Sequence, residues 1–123
     1  IQQLETGALF EALSAGTFDL TVYSASWADA VVLFGFFHSS AIGTTNYGRI
    51  NDPNLDGMLL NVFGAPSRSA LESNAAEAQK YIVENAYVIP LYTVYSDLVI
   101  NNRFKGYSVT PTGDLILYGV YVK

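Results

Sequence analysis

A chain of 123 residues, 50% hydrophobic and 14% charged, has the composition of one folded domain and excludes a disordered segment. Six basic against eleven acidic side chains leave a net charge of −5 with no basic run, which argues against nucleic acid as a partner. Cysteine is absent, so disulfides, thiolate catalysis and cysteine-based metal sites are excluded together.

The chain opens on Ile1 with no basic-then-apolar leader, the expectation for a processed chain or a piece of a longer one. Its longest apolar run, Ala30 to Phe37, has eight residues. A membrane span needs about 20, so the run predicts a buried element and not an anchor.

In chain order, residues 4–15 predict a helix, with Leu4, Ala8, Ala12 and Ala15 near one face, Leu9 and Leu13 widening it, and Gly16 as C-cap. Phe18, Leu20 and Val22 alternate with Asp19, Thr21 and Tyr23, the period of a strand. Asp29 stands where it would cap a short helix beginning at Ala30. Residues 39–53 are rich in turn formers. A short helix follows over 55–63, with Leu55, Leu59 and Val62 on one side. The clearest helix runs over 67–85: Leu71, Ala75, Ala78 and Ile82 repeat at helical spacing, Ser69 with Glu72 reads as a capping box, and Lys80–Glu84 is an i,i+4 pair. Strands are then predicted over 88–95, 97–100, 104–109 and 115–122, with turns at Asn101-Asn102 and Pro111-Thr112-Gly113-Asp114. Helix, strand, helices and then several strands predict an α/β chain, with helices packed on a mixed sheet.

Motifs for chemistry are sparse. His38 is the one histidine, no serine sits in a nucleophile elbow, and no glycine-rich phosphate loop precedes a helix. His38 reads as a helix-end residue. Asp52 and Asp56 read as a turn leading into a helix N-terminus. No cofactor or metal is called for, and the expectation is a protein that is not an enzyme.

Trp27 and Asp29 carry two readings. Following a strand and preceding a helix, they hold the position where open α/β sheets place ligand contacts. An indole face beside a carboxylate suits a ligand bearing an ammonium group. The other reading makes Trp27 a core residue and Asp29 a helix cap, and the frequency of aspartate caps favours it on the pattern alone.

Several segments together carry a resemblance. Phe18-Asp19-Leu20, Ser26-Trp27-Ala28-Asp29, Phe36-Phe37-His38-Ser39-Ser40, Asn46-Tyr47 and Asn51-Asp52-Pro53-Asn54-Leu55-Asp56 occur in an order and spacing similar to the family 5 extracytoplasmic solute-binding proteins of ABC importers, the dipeptide-, oligopeptide- and nickel-binding type. Arg68 and Gln79 in the long helix, the stretch Ala86-Tyr87-Val88-Ile89-Pro90-Leu91-Tyr92 and the Lys105-Gly106-Tyr107 turn extend it. Members are several times longer, and the chain resembles their C-terminal segment.

The resemblance implies the C-terminal lobe of a periplasmic-binding-protein-like (type II) fold. Residues 1–123 would form one domain, with about 110–123 a tail returning toward an N-terminal lobe elsewhere in the protein. It implies capture of a small solute, a peptide foremost, between two lobes and delivery to the permease subunits of an ABC importer. The location implied is periplasmic or extracellular, at the membrane through an anchor outside this chain. Trp27 and Asp29 match the segment where peptide-binding members hold the ligand's α-ammonium, and Asn46 and Tyr47 match a loop beside the cleft. Where the family often continues its aspartate into a proline, this chain has Ala30-Val31. Unpaired final strands invite self-association. The alternative is a stand-alone ligand-sensing or protein-interaction domain built on the same lobe, for example in a transcription regulator.

Overall fold

The helices predicted over 4–15, 55–63 and 67–85 all form, and each ends on a backbone device that its sequence supplies. A computed structural model describes residues 2–22, 24–93 and 97–123. The described chain is mixed α/β. In chain order come α1 (Thr6–Ala15), α2 (Val32–Phe37), a 3₁₀ turn (Ser39–Ala41), α3 (Pro53–Phe63), α4 (Arg68–Glu84), β1 (Phe104–Lys105), β2 (Ser108–Val109), β3 (Leu115–Ile116) and β4 (Tyr121–Val122). The chain divides into two compact units: one takes in Ile1–Ala25 and Asp29–Ile89, the other Ser26–Ala28 and Pro90–Lys123. The α-helices lie in the first unit and the strands in the second.

In the first unit, α3 and α4 pack along their apolar stripes. Leu55, Leu59 and Val62 face Ala75, Ala78 and Ile82 in one buried cluster that also takes in Ile50. The three α3 side chains have no exposed surface. Burial of each is worth roughly 1.5–3 kcal/mol, and the two small alanines let the helices approach closely. Leu33, Phe34 and Phe37 of α2 close over the cluster from outside.

Asp52 caps α3 by accepting the Asn54 amide at 2.8 Å, with Pro53 in the first turn, where a missing N–H is harmless. The α4 cap is Ser67, whose hydroxyl accepts the Ala70 amide at 3.2 Å. The capping box expected at Ser69 and Glu72 does not form: Ser69 lies inside the helix, and Glu72 accepts from Arg68 Nε at 2.7 Å. Helices α1 and α4 end alike. Thr17 N–H reaches back to the Ala12 carbonyl at 3.1 Å, and Tyr87 N–H to that of Ile82 at 3.1 Å. Both closures need a left-handed residue, Gly16 at φ 70° in one and Ala86 at φ 54° in the other.

The face of α1 differs from expectation. Leu13 is its buried residue, while Ala8 and Ala15 are exposed. Arg49 anchors the helix end, donating from Nη2 to the Ser14 carbonyl at 2.9 Å. A side chain at residue 16 would collide with that guanidinium, its Cβ lying 2.1 Å from Arg49 Nε. The apolar run Ala30–Phe37 is half-buried throughout, not fully buried as predicted. Among the described residues no helix is long and apolar enough to cross a membrane.

The strand expected over 18–23 does not form in its described part. Residues 18–22 are irregular, with Leu20 and Val22 exposed, and Tyr23 lies outside the described residues. Alternation makes a strand only where a partner accepts its hydrogen bonds. Residues 88–93 and 97–100 carry no strand either, and positions 94 and 95 of that prediction lie outside the described residues.

In the second unit the two predicted segments 104–109 and 115–122 each break into two short strands. Antiparallel pairs form between β1 and β4, Phe104 opposite Val122, and between β2 and β3, Val109 opposite Leu115. Gly106 and Gly119 make the breaks, with φ of 79° and 88°. A Cβ on Gly106 would lie 2.3 Å from the Gly119 carbonyl oxygen, so the chain crosses itself there by glycine alone. The turn at 111–114 closes as predicted: Gly113 N–H donates to the Thr110 carbonyl at 2.9 Å, and Thr110 and Thr112 hydroxyls gather on Asp114.

Candidate functional site

Asp29 precedes α2 and caps the turn that leads into it. Its Oδ1 accepts the Val31 amide at 3.0 Å, and its carbonyl accepts Val32 N–H at 3.3 Å. Capping occupies one carboxylate oxygen. The other, Oδ2, stands 3.9 Å from Arg68 Nη1, and the Asp29 side chain is 43% exposed. Arg68 is more exposed still and gives its Nε to Glu72, which with Asp29 holds the guanidinium above its ordinary pKa. A pair so open to water adds little to stability. Chemically, Oδ2 is an acceptor beside a cation, on a partly exposed side chain whose other oxygen is engaged.

Trp27 belongs to the second unit and is 68% exposed, so it is not the core residue of the structural reading. The strand expected before it does not form over the described residues 18–22.

Asn46 is the surprise of the loop between α2 and α3. It is wholly buried, the one buried polar side chain among the described residues. Its Nδ2 donates to the carbonyls of Ile50 at 2.8 Å, His38 at 3.1 Å and Phe37 at 3.4 Å, and its Oδ1 accepts Ile50 N–H at 3.1 Å. Every polar atom of the amide is committed to backbone. Asn46 therefore shapes the loop and offers no atom to a ligand in this conformation. Tyr47, next to it, is half-buried, its ring 6.3 Å from that of Phe10 on α1.

The structure brings Asn46 and Tyr47 together on one loop but does not bring Asp29 to them. Asp29 lies before the first turn of α2, while Asn46 grips carbonyls at its end. The intervening helix is about 9 Å long at 1.5 Å per residue.

Two clusters went unread in the sequence. Asp52 Oδ2 accepts both the Tyr87 hydroxyl at 2.8 Å and the Tyr81 hydroxyl at 2.9 Å. The bond from Tyr87, with those from Asn54 and Tyr81, holds the carboxyl below its ordinary value, and the same carboxylate raises both tyrosines. Asp56 takes the other end of the loop, accepting the Ser39 amide on Oδ1 at 2.8 Å and the Ser39 hydroxyl on Oδ2 at 2.5 Å. His38 stacks on Phe34 with centroids 4.2 Å apart, and its Nε2 stands 4.0 Å from Asp56 Oδ1. Asp52 and Asp56 thus share one helix turn yet serve different partners. The spacing Asp52-Pro53 marked the cap, but no local pattern announces tyrosines 29 and 35 residues away.

Among the described residues no three His, Asp or Glu side chains converge as metal ligands would. No family model matches the chain, and no curated protein matches it.

Proposed function

We propose that this chain is the C-terminal lobe of a family 5 extracytoplasmic solute-binding protein, capturing a small solute, with peptides the expected class, for an ABC importer. The type II lobe architecture is part of the same proposal, and the mixed α/β composition is compatible with it. The observation that supports the reading is Asp29: a carboxylate held through one oxygen by the Val31 amide, partly exposed, with only a long contact from Oδ2 to Arg68. A peptide's α-ammonium would bond to Oδ2 and displace the long contact to Arg68. Each other contact stands by itself: Tyr47, on the loop that Asn46 holds in shape, would add aromatic area at a part of the solute away from Oδ2, and Trp27 would offer an indole face. Binding and lobe closure are the mechanism, with no bond made or broken.

A charge-assisted hydrogen bond of this kind is worth roughly 1.5–3 kcal/mol once closure removes water, about 10- to 150-fold in affinity. The test is calorimetry on the full-length protein. Asp29→Asn should lose about that factor for peptides with a free amino terminus and little for N-acetylated ones. Equal loss for both ligands overturns the ammonium role.

A second reading draws on the second unit, where Val99, Leu117 and Tyr118 stand 95%, 64% and 95% exposed and the paired strands are short. A stand-alone interaction domain would self-associate through such edges, whereas a lobe would cover them with its partner lobe. Sedimentation of the native protein separates the two: a full-length monomer supports the lobe, an oligomer of short chains the interaction domain.

A further inference from the structure

We propose that α1 is a strap that comes off as a unit while α3 and α4 stay folded, and that Arg49 sets how often it does. Little in its own sequence keeps α1 helical. It has ten residues, Gly7 in its first turn, an N-cap, Glu5, whose side chain caps nothing, and neither an acidic first turn nor a basic last turn to answer the helix dipole. A helix that short is marginal in water by itself, so α1 depends on what it rests against.

Its fastenings are few. Leu13 is the buried residue of α1 and lies outside the cluster that joins α3 to α4, to which each of those helices gives three buried side chains. The Phe10 ring, 46% exposed, tilts against that of Tyr47 at 6.3 Å. The third fastening is Arg49, whose Nη2 donates to the Ser14 carbonyl at 2.9 Å. That carbonyl lies in the last turn, where a helix leaves acceptors unpaired and its dipole favours a cation. Arg49 thus supplies, from 35 residues away, the charge that the last turn of α1 lacks. The loop holds it there under strain, with Arg49 at φ 51° in the left-handed region that a side chain disfavours.

The two sides of this contact differ in how firmly they are held. Tyr47 and Arg49 lie on the loop that Asn46 bonds to the backbone of Phe37, His38 and Ile50, and Ile50 belongs to the α3–α4 cluster. On the other side, α1 runs into residues 18–22, which form neither helix nor strand and expose Leu20 and Val22. Breaking the fastenings therefore frees α1 and leaves the loop in place. The opened form presents the side of Tyr47 that Phe10 covers, together with the Arg49 guanidinium.

Native-state hydrogen exchange of the full chain, read by NMR without any solute, tests this. The amides of Leu9 to Thr17 should exchange together, about 100-fold or more faster than those of Leu59, Val62, Ala78 and Ile82. Arg49→Gly removes the guanidinium but accepts the left-handed backbone, so the loop keeps its course. It should speed α1 exchange about tenfold and leave α3 and α4 unchanged. Hydroxyl-radical footprinting of the same variant should label Tyr47 faster, scaled to Tyr118, which is 95% exposed. Exchange of α1 in one step with α3 and α4, an Arg49→Gly variant with α1 at the parent's rate, a speed-up shared by α3 and α4, or Tyr47 labelling unchanged by the substitution overturns the strap.

Discussion

The Tyr87 hydroxyl donates to Asp52 Oδ2 at 2.8 Å across 35 residues of sequence, tying the segment that leaves α4 to the cap that starts α3. The left-handed turn at Ala86 aims Tyr87 back at the carboxylate, and Tyr81, six residues earlier and still in α4, reaches the same oxygen. Asp52 thus serves two ends of the helix pair at once.

The sign of its pH dependence follows. With its carboxyl held below 3.8, Asp52 contributes stability that is full above 3.8 and lost as pH falls through the lower folded value. The tyrosines, raised above 10.0, contribute stability that is full below 10.0 and lost as pH rises through their folded values. Urea unfolding of Tyr87→Phe should show lower stability at pH 7 and a shallower decline toward acid than the parent. An unchanged acid slope would mean that the bond to Tyr87 contributes nothing to the carboxyl's shift.

Asn46→Ala should be among the most destabilising changes in the first unit. It strands the Ile50 amide and the carbonyls of Phe37, His38 and Ile50 in a site with no exposed surface at residue 46. Buried groups left without partners cost roughly 1–3 kcal/mol each, so a loss of at least about 2 kcal/mol is expected. Asn46→Asp keeps the acceptor but points an oxygen at carbonyls, and should fare no better. Were Asn46 a ligand contact alone, both variants would unfold at the parent's urea midpoint and differ only in binding.

What the sequence disclosed and what it withheld divide along the range of the interactions. Leu55, Leu59, Val62, Ala75, Ala78 and Ile82 are buried where helical spacing puts them, because each helix encodes its own stripe. Leu20 and Val22 alternate like a strand yet lie in irregular chain, because a ladder depends on a partner that alternation does not name. The cap of α4 sits at Ser67 and not Ser69, since either serine satisfies the local pattern and packing chooses between them. Asn46 was read as a ligand contact on a loop beside a cleft, not as a buried staple: its four bonds depend on how α2 ends and where Ile50 enters the core. Of the two sequence readings of Asp29 the structure shows the cap, through Oδ1, while Oδ2 stands 3.9 Å from Arg68 Nη1.

Ala86→Gly is expected to stabilise the fold. Alanine at φ 54° bears a steric cost of roughly 1–2 kcal/mol that glycine escapes, offset in part by glycine's larger entropy loss on folding. The net gain should be about 0.5–1 kcal/mol, a rise of a few degrees in Tm. Gly16, already glycine at the equivalent place in α1, supplies the internal contrast: Gly16→Ala should destabilise, through its φ of 70° and by moving the Arg49 guanidinium off the Ser14 carbonyl. A drop in Tm for Ala86→Gly would show that the left-handed turn is not what sets the cost at this position.

Trp27 offers a direct view of the proposed binding role. It is the one tryptophan of the chain and is 68% exposed, so its emission in the free protein should lie at long wavelength and quench readily with iodide. A bound peptide that covers the indole should shift the emission to shorter wavelength and protect it from iodide, saturably with concentration. A free-amine tripeptide and its N-acetylated form, titrated into the full-length protein, should differ by about the 10- to 150-fold expected of a charge-assisted bond. The protection tests the indole and the difference tests the ammonium, so each residue's role can fail without the other. Emission and quenching that stay constant through calorimetric saturation would remove Trp27 from the ligand's surroundings and leave the carboxylate as the recognised feature of that segment.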